Sequence, residues 1–149
     1  MGMSTGAGTK LAISAASPAT FDATGYAALT HTEIANVEGL GDFGATYEEV
    51  AFQPLNGPKL KLKGPADNGG ISPTIALDPS DAGQTLLRTA ADDKTQKNYS
   101  VEITLQDNTV IYTQFICLGF PYSVGAAGAV NTVKPTMVFQ KNLVVVPGA

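Results

Sequence analysis

NYSVEITLQDNTVIYTQFICLGF, residues 98–120, decides the fold. In its first half Tyr99, Val101, Ile103 and Leu105 alternate with Asn98, Ser100, Glu102 and Thr104. A period of two places the first set on one face of a strand and the second on the other. Asp107-Asn108 supplies the turn, because short amide and carboxylate side chains bond their own backbone two residues on. The chain then returns as TVIYTQFICLGF (109–120), too apolar for a half-solvated strand and therefore expected to be buried on both faces. Cys117 lies in this run and cannot pair within the chain, so it reads as a small buried hydrophobe.

Outward from this hairpin the strand signals continue. KLAISA (10–15) and HTEIANV (31–37) precede it, GISPTIAL (70–77) carries Pro73 and so belongs at an edge or bulge, and TVKPTMVFQ (132–140) and LVVV (143–146) follow it. PYSVGAAGAVN (121–131) is a Gly/Ala loop. One helix is expected, over residues 79–92 of DPSDAGQTLLRTAADD, with Asp78 as N-cap, Pro79 at the first helical position and Asp81 complementing the helix dipole. Ala82, Leu86, Leu87 and Ala90 would form its narrow apolar face. The expected fold is mainly β: an antiparallel β-sandwich or barrel-like subunit with one flanking α-helix. A flexible arm (1–9) precedes a β domain (10–142), and a tail (143–149) follows it.

Two stretches are unusual. KLKLK (59–63) is a strand with Leu60 and Leu62 on one face and Lys59, Lys61 and Lys63 on the other. GPADNGG (64–70) reads as a turn cluster after it, with Asn68-Gly69 a hairpin signal. Before it, residues 38–58 form a loop longer than ordinary packing needs, carrying Glu38, Asp42, Glu48 and Glu49 together with Phe43, Tyr47 and Phe52. A short strand is expected at YEEVAF (47–52). Three rings give this segment the composition of a partner-contacting arm rather than a solvated loop.

Charge narrows the function. The chain has 149 residues and a net charge of −4. Residues 1–58 hold Lys10 as their only cation against six acids, whereas the rest holds eight cations against seven acids. Phosphate binding wants a basic face, and only the lysine row offers one. That row reads in three ways: guarding a strand edge, pairing with acids of another copy, or meeting nucleic acid.

Catalytic constellations are absent from the sequence. His31 is the one histidine and reads as a strand surface residue; no G-x-S-x-G accompanies it. One His and one Cys do not make a zinc site, no phosphate-binding G-x-x-x-x-G-K-[ST] loop occurs, and the aspartates lack EF-hand spacing. No enzyme, metal or cofactor is therefore expected. MGMSTGAGTK lacks the apolar stretch of a leader, and no run approaches the ~18 apolar residues of a membrane helix. The expected activity belongs to surfaces.

The ordered set TFDATGYAAL (20–29), HTEIANVEGLGDFGATYEEVAFQPL (31–55), KLKGPADNGG (61–70), DPSDAGQTLLRTAADD (78–93) and LGFPYSVGAAGAVNTVKPTMVF (118–139) resembles the major tail tube protein of long-tailed, non-contractile (siphovirus-type) phages. The resemblance covers most of the chain. It implies hexameric rings whose sheets join into a continuous barrel, stacked into a hollow tube that conducts DNA from capsid to host. It also implies as partners further copies of the chain, the tape measure protein, the tail terminator and tail tip proteins, with DNA passing unbound. The location would be the virion tail, assembled in the host cytoplasm.

On this reading residues 38–58 are the stacking loop, and Glu38, Asp42, Phe43, Tyr47, Glu48, Glu49, Lys59, Lys61 and Lys63 are subunit-contact residues. Asn98, Ser100, Glu102 and Thr104 would face the lumen, which should carry little positive charge so that DNA slides. Two other readings stay open: a virion-decorating or carbohydrate-binding β-sandwich module, and a terminator or secretion-tube relative of the same ring.

Overall fold

The computed structural model describes residues 5–148. Residues 1–4 of the arm and Ala149 of the tail lie outside the described residues.

The 98–120 hairpin is the centre of the fold. β7 (Tyr99–Thr104) and β8 (Val110–Gly119) pair antiparallel, with Val101 opposite Thr113 and Ile103 opposite Ile111. Asn108 closes the turn at φ 70°, a left-handed position that asparagine tolerates. β1 (Lys10–Ser14) flanks β7, and β2 (Thr32–Ile34) flanks β1. On the far side β8 is long enough to pair twice: its C-terminal half meets β11 (Thr136–Phe139) and its N-terminal end meets β12 (Val144–Val146). β5 (Gly70–Ile71) closes that side against β11, completing a seven-stranded sheet.

A second, three-stranded sheet holds β6 (Ile75–Ala76), β10 (Thr132–Val133) and β9 (Tyr122–Ser123). It joins the two ends of the first. β6 follows β5 in the chain, and it also bonds the continuation of β2: Ala76 N–H donates to Asn36 O (3.0 Å) and Glu38 N–H to Thr74 O (2.8 Å). The result is barrel-like, with Leu11, Ile13, Val101, Ile103, Phe115 and Met137 inside it.

α2 (Ala82–Asp92) packs on this core through Leu87 and Ala90. The expected start is corrected: Asp81, not Asp78, is the N-cap, its carboxylate accepting from Gln84 N–H at 3.0 Å. Asp78 instead anchors the preceding turn, accepting from Ser80. The buried face is Gly83, Gln84, Leu87 and Ala90, and Ala82 points outward. Gly83 is required by proximity, since a Cβ there would lie 2.2 Å from Glu33 O.

The expectation of one helix is also corrected. A short α1 (Ala23–Ala27), capped by Asp22, lies in the segment that crosses the polar face of the main sheet. Its Tyr26 ring stacks on Tyr112 at 5.4 Å. Ser100 Oγ donates to Ala16 O (2.8 Å) and Gln114 Nε2 to Ser17 Oγ (3.2 Å), so the segment is tied down along its length.

Three further boundaries differ from the sequence reading. TVKPTMVFQ is two strands in different sheets, split at Pro135, which lacks the N–H to continue a ladder. The strand expected at LVVV (143–146) is residues 144–146, one residue shorter, and it belongs to the main sheet. Asn68-Gly69 does not join two paired strands: the chain turns there, with Gly69 at φ 72°, from one sheet into another. Among the described residues no helix is long and apolar enough to cross a membrane.

Candidate assembly surfaces

The unusual stretches form one object. β3 (Thr46–Phe52) and β4 (Leu60–Asp67) pair only with each other, as a two-stranded ribbon separate from both sheets. The expected loop 38–58 carries β3 over 46–52, one residue longer than the strand expected there, and β4 runs through Gly64-Pro65 to Asp67 where a turn cluster was expected. Gly64 permits this, because a Cβ there would lie 2.8 Å from Val50 Cγ2 and 2.9 Å from Glu48 O.

The register sorts the side chains of the ribbon. Val50 faces Leu62 and Phe52 faces Leu60 on one flank; Glu49 faces Lys63 and Ala51 faces Lys61 on the other. Among the described residues nothing covers the apolar flank: Val50, Phe52, Leu60 and Leu62 are between 46% and 60% exposed. A lone ribbon is marginal in water. This one is braced by Lys63 Nζ, 4.3 Å from the centre of the Tyr47 ring. At the tip, Gln53 Nε2 donates to both Pro54 O (3.0 Å) and Gly57 O (2.8 Å), holding a tight turn that presents Leu55 fully to solvent.

The predicted contact residues separate into two groups. Tyr47, Glu48, Glu49, Lys61 and Lys63 lie on the ribbon, and Lys59 immediately precedes β4. Glu49 stands opposite Lys63 in the same ribbon, so it is a neighbour of the lysine row rather than its distant partner. Glu38, Asp42 and Phe43 lie in the stretch before the ribbon. Phe43 belongs to the body, its ring edge-on to Phe139 at 5.7 Å. Glu38 lines a cleft of about 460 Å³ beside β1 and β2, together with Glu33, Leu11, Val37, Leu40, Phe43 and Leu105. Glu33, Gly39 and the cleft itself were not singled out in the sequence, because the cleft is assembled from segments up to a hundred residues apart.

The predicted lumen residues sit on the sheet face that α1 and its flanks cross. Ser100 has no exposed surface and cannot line a lumen in this conformation, while Asn98, Glu102 and Thr104 are half-buried. His31 is not a surface residue either: its side chain is 6% exposed and its Nδ1 lies 3.8 Å from Glu102 Oε2. Burial pushes its imidazole pKa down, against the opposing pull of Glu102 and the Leu29 backbone. Its Nε2 and the Tyr26 hydroxyl are buried without partners. Cys117 is buried, as its setting in the apolar run suggested, and burial raises its thiol pKa. Among the described residues no three His, Cys, Asp or Glu side chains gather as metal ligands.

No protein-family model matches the chain, and no curated protein matches it in sequence. Solved structures do share its fold. The sheath/tube terminator of an extracellular contractile injection system (PVC), in the extended state, superposes with a TM-score of 0.68 at 7% identity, covering 93% of this chain and 92% of that one. A chain of the sixfold-symmetrised anti-feeding prophage baseplate gives 0.61 at 12% identity, covering 97% and 98%. A chain of the PVC sheath–tube complex, also extended, gives 0.58 at 8% identity, covering 93% and 88%. The chain thus has, over nearly its whole length, the fold of chains from an extracellular contractile injection system and a prophage baseplate.

Proposed function

We propose that this chain is a non-enzymatic structural subunit of a phage tail, forming hexameric rings that stack into a hollow tube for DNA. The observation that carries this reading is the ribbon: a chain with a tail-component fold holds four large apolar side chains and the tip Leu55 outside its own core. Exposed apolar area on this scale is an interaction surface. A ribbon beyond the body gives each ring a means of reaching the next, and the free edges of short strands are paired by neighbours in a closed ring. Tape measure, terminator and tip proteins are the further partners of such a tube, and its place is the virion tail. The matched structures come from contractile systems and the sequence resemblance from a non-contractile tail; the matched structures support the reading through their fold.

Negative-stain electron microscopy of the concentrated protein, with its solution mass, tests the reading. Sixfold rings or hollow tubes are expected. A protein that stays monomeric across concentration and salt, and that binds glycans, would overturn it in favour of a carbohydrate-binding module.

A further inference from the structure

We infer that the cleft beside β1 and β2 is the acceptor for the ribbon tip of a second copy of this chain, with Leu55 seated against Val37, Leu40 and Leu105. The inference rests on the stacking role proposed for the ribbon and names the surface that role requires.

Three observations converge on this pairing. The tip is preorganised: the two bonds from Gln53 fix the Pro54–Gly57 turn, so seating Leu55 costs little further ordering. The cleft has the size and lining to take it, at about 460 Å³ with apolar walls from Leu11, Val37, Leu40, Phe43 and Leu105. The charges around the two surfaces are opposite. Residues 33–42 carry Glu33, Glu38 and Asp42 and no cation, whereas the chain leaving the tip carries Lys59, Lys61 opposite Ala51, and Lys63 opposite Glu49. Opposed patches of this kind fix register and steer encounter.

Knob and cleft are different surfaces of one molecule. The contact is therefore head-to-tail, and it leaves each added copy with a free knob or a free cleft. Such a contact propagates a stack rather than ending at a dimer.

Cysteine cross-linking between two separately made chains tests this. One carries Leu55→Cys at the exposed tip. The other carries Gly39→Cys in the cleft, where an added Cβ meets nothing within 4 Å. Each is mixed with the other under mild oxidation, and the wild type, with Cys117 buried, is the control. A disulfide-linked dimer is expected in the mixture and not in either chain alone. Lys59→Glu/Lys61→Glu/Lys63→Glu in the tip chain should abolish the dimer, and Glu33→Lys/Glu38→Lys/Asp42→Lys in the cleft chain should restore it.

Sedimentation of the wild type separates the two ideas. Assembly without the mixed dimer overturns the cleft as acceptor and leaves the tube reading standing. Dimers forming equally in each chain alone, or a disulfide that ignores the charge reversals, also overturn it. A wild type that never assembles and gives no mixed dimer overturns both.

Discussion

The imidazole of His31 lies 3.8 Å, Nδ1 to Oε2, from the carboxylate of Glu102, and 6.0 Å, centre to centre, from the ring of Tyr112. It joins the end of the α1 segment to the polar face of the main sheet. Burial is the largest influence on it and lowers its pKa below the ordinary ~6.5. The folded state therefore holds His31 neutral while the unfolded chain takes up a proton near pH 6.5. The unfolded state binds more protons, so stability rises with pH in this window and is lost as pH falls from ~6.5 through the lower folded value. Thermal melts between about pH 7 and pH 5 should show a falling midpoint. His31→Gln should flatten that slope and retain a second loss below about pH 4, where Asp22, Asp78, Asp93 and Asp107 protonate. Those four are lowered by hydrogen bonds from Gly25, Ser80, Thr95 and Thr109 respectively.

Gln84 is the joint between α2 and the sheets. It is 2% exposed, donates from Nε2 to Ala35 O (3.1 Å) and Ala76 O (3.0 Å), and accepts from Asp78 N–H (2.9 Å). Gln84→Leu keeps the volume and strands those backbone groups, each buried unsatisfied group costing roughly 1–3 kcal/mol. Urea unfolding should report a loss on the order of 2–4 kcal/mol with little change in slope. A loss no greater than that of an exposed substitution such as Thr89→Ala would contradict the assignment.

Gly83→Ala should destabilise even though alanine is the better helix former. The intrinsic gain is about 1 kcal/mol. Against it stands a Cβ 2.2 Å from Glu33 O and 2.7 Å from Ile34 Cα, both backbone atoms that cannot swing aside. Overpacking costs roughly 1–3 kcal/mol, so the helix must move off β2. A chemical-denaturation midpoint below that of the wild type is expected.

The ribbon should separate folding from assembly. Phe52→Ser with Leu62→Ser removes apolar area that the isolated chain does not bury, so its melting midpoint should stay near the wild-type value, surface changes being usually within about 0.5 kcal/mol. Ring or tube formation, followed by light scattering and microscopy, should fall sharply. Reversing Lys59, Lys61 and Lys63 to Glu should impair assembly likewise; normal tubes from that variant would remove the lysines from the contact.

What the sequence made legible was whatever a single strand decides for itself. The alternation in 98–105 and the apolar run after it predicted β7, β8 and the sides they bury. The lysine alternation predicted the first half of β4, whose second half was read as a turn. What it hid depended on distant partners. Ser100 reads as surface because it shares the polar face of its strand with Asn98, Glu102 and Thr104, yet Ala16 lies across it, and His31 is buried on the same face beside Glu102. α1 has five residues, with Gly25 in the middle, and no apolar period to announce it. Asn68-Gly69 announces a turn without saying that the next strand belongs to another sheet. Asp78 and Asp81 both suit an N-cap by residue type, and the second is held in place by Ala35 N–H, 46 residues away, donating to its Oδ2. The cleft draws on Gly6, Leu105, residues 33–41 and Phe43, and no local pattern could have assembled it.

In the proposed assembly the greasy flank of the ribbon would make the contact sensitive to temperature. Attraction between apolar surfaces is entropic near room temperature and fades on cooling, while attraction between the lysines and acids is cut by salt. A contact that uses both grips hardest when warm and dilute in electrolyte, and loosens first in the cold. The same exposed flank is a surface prone to stick indiscriminately for as long as it stays uncovered.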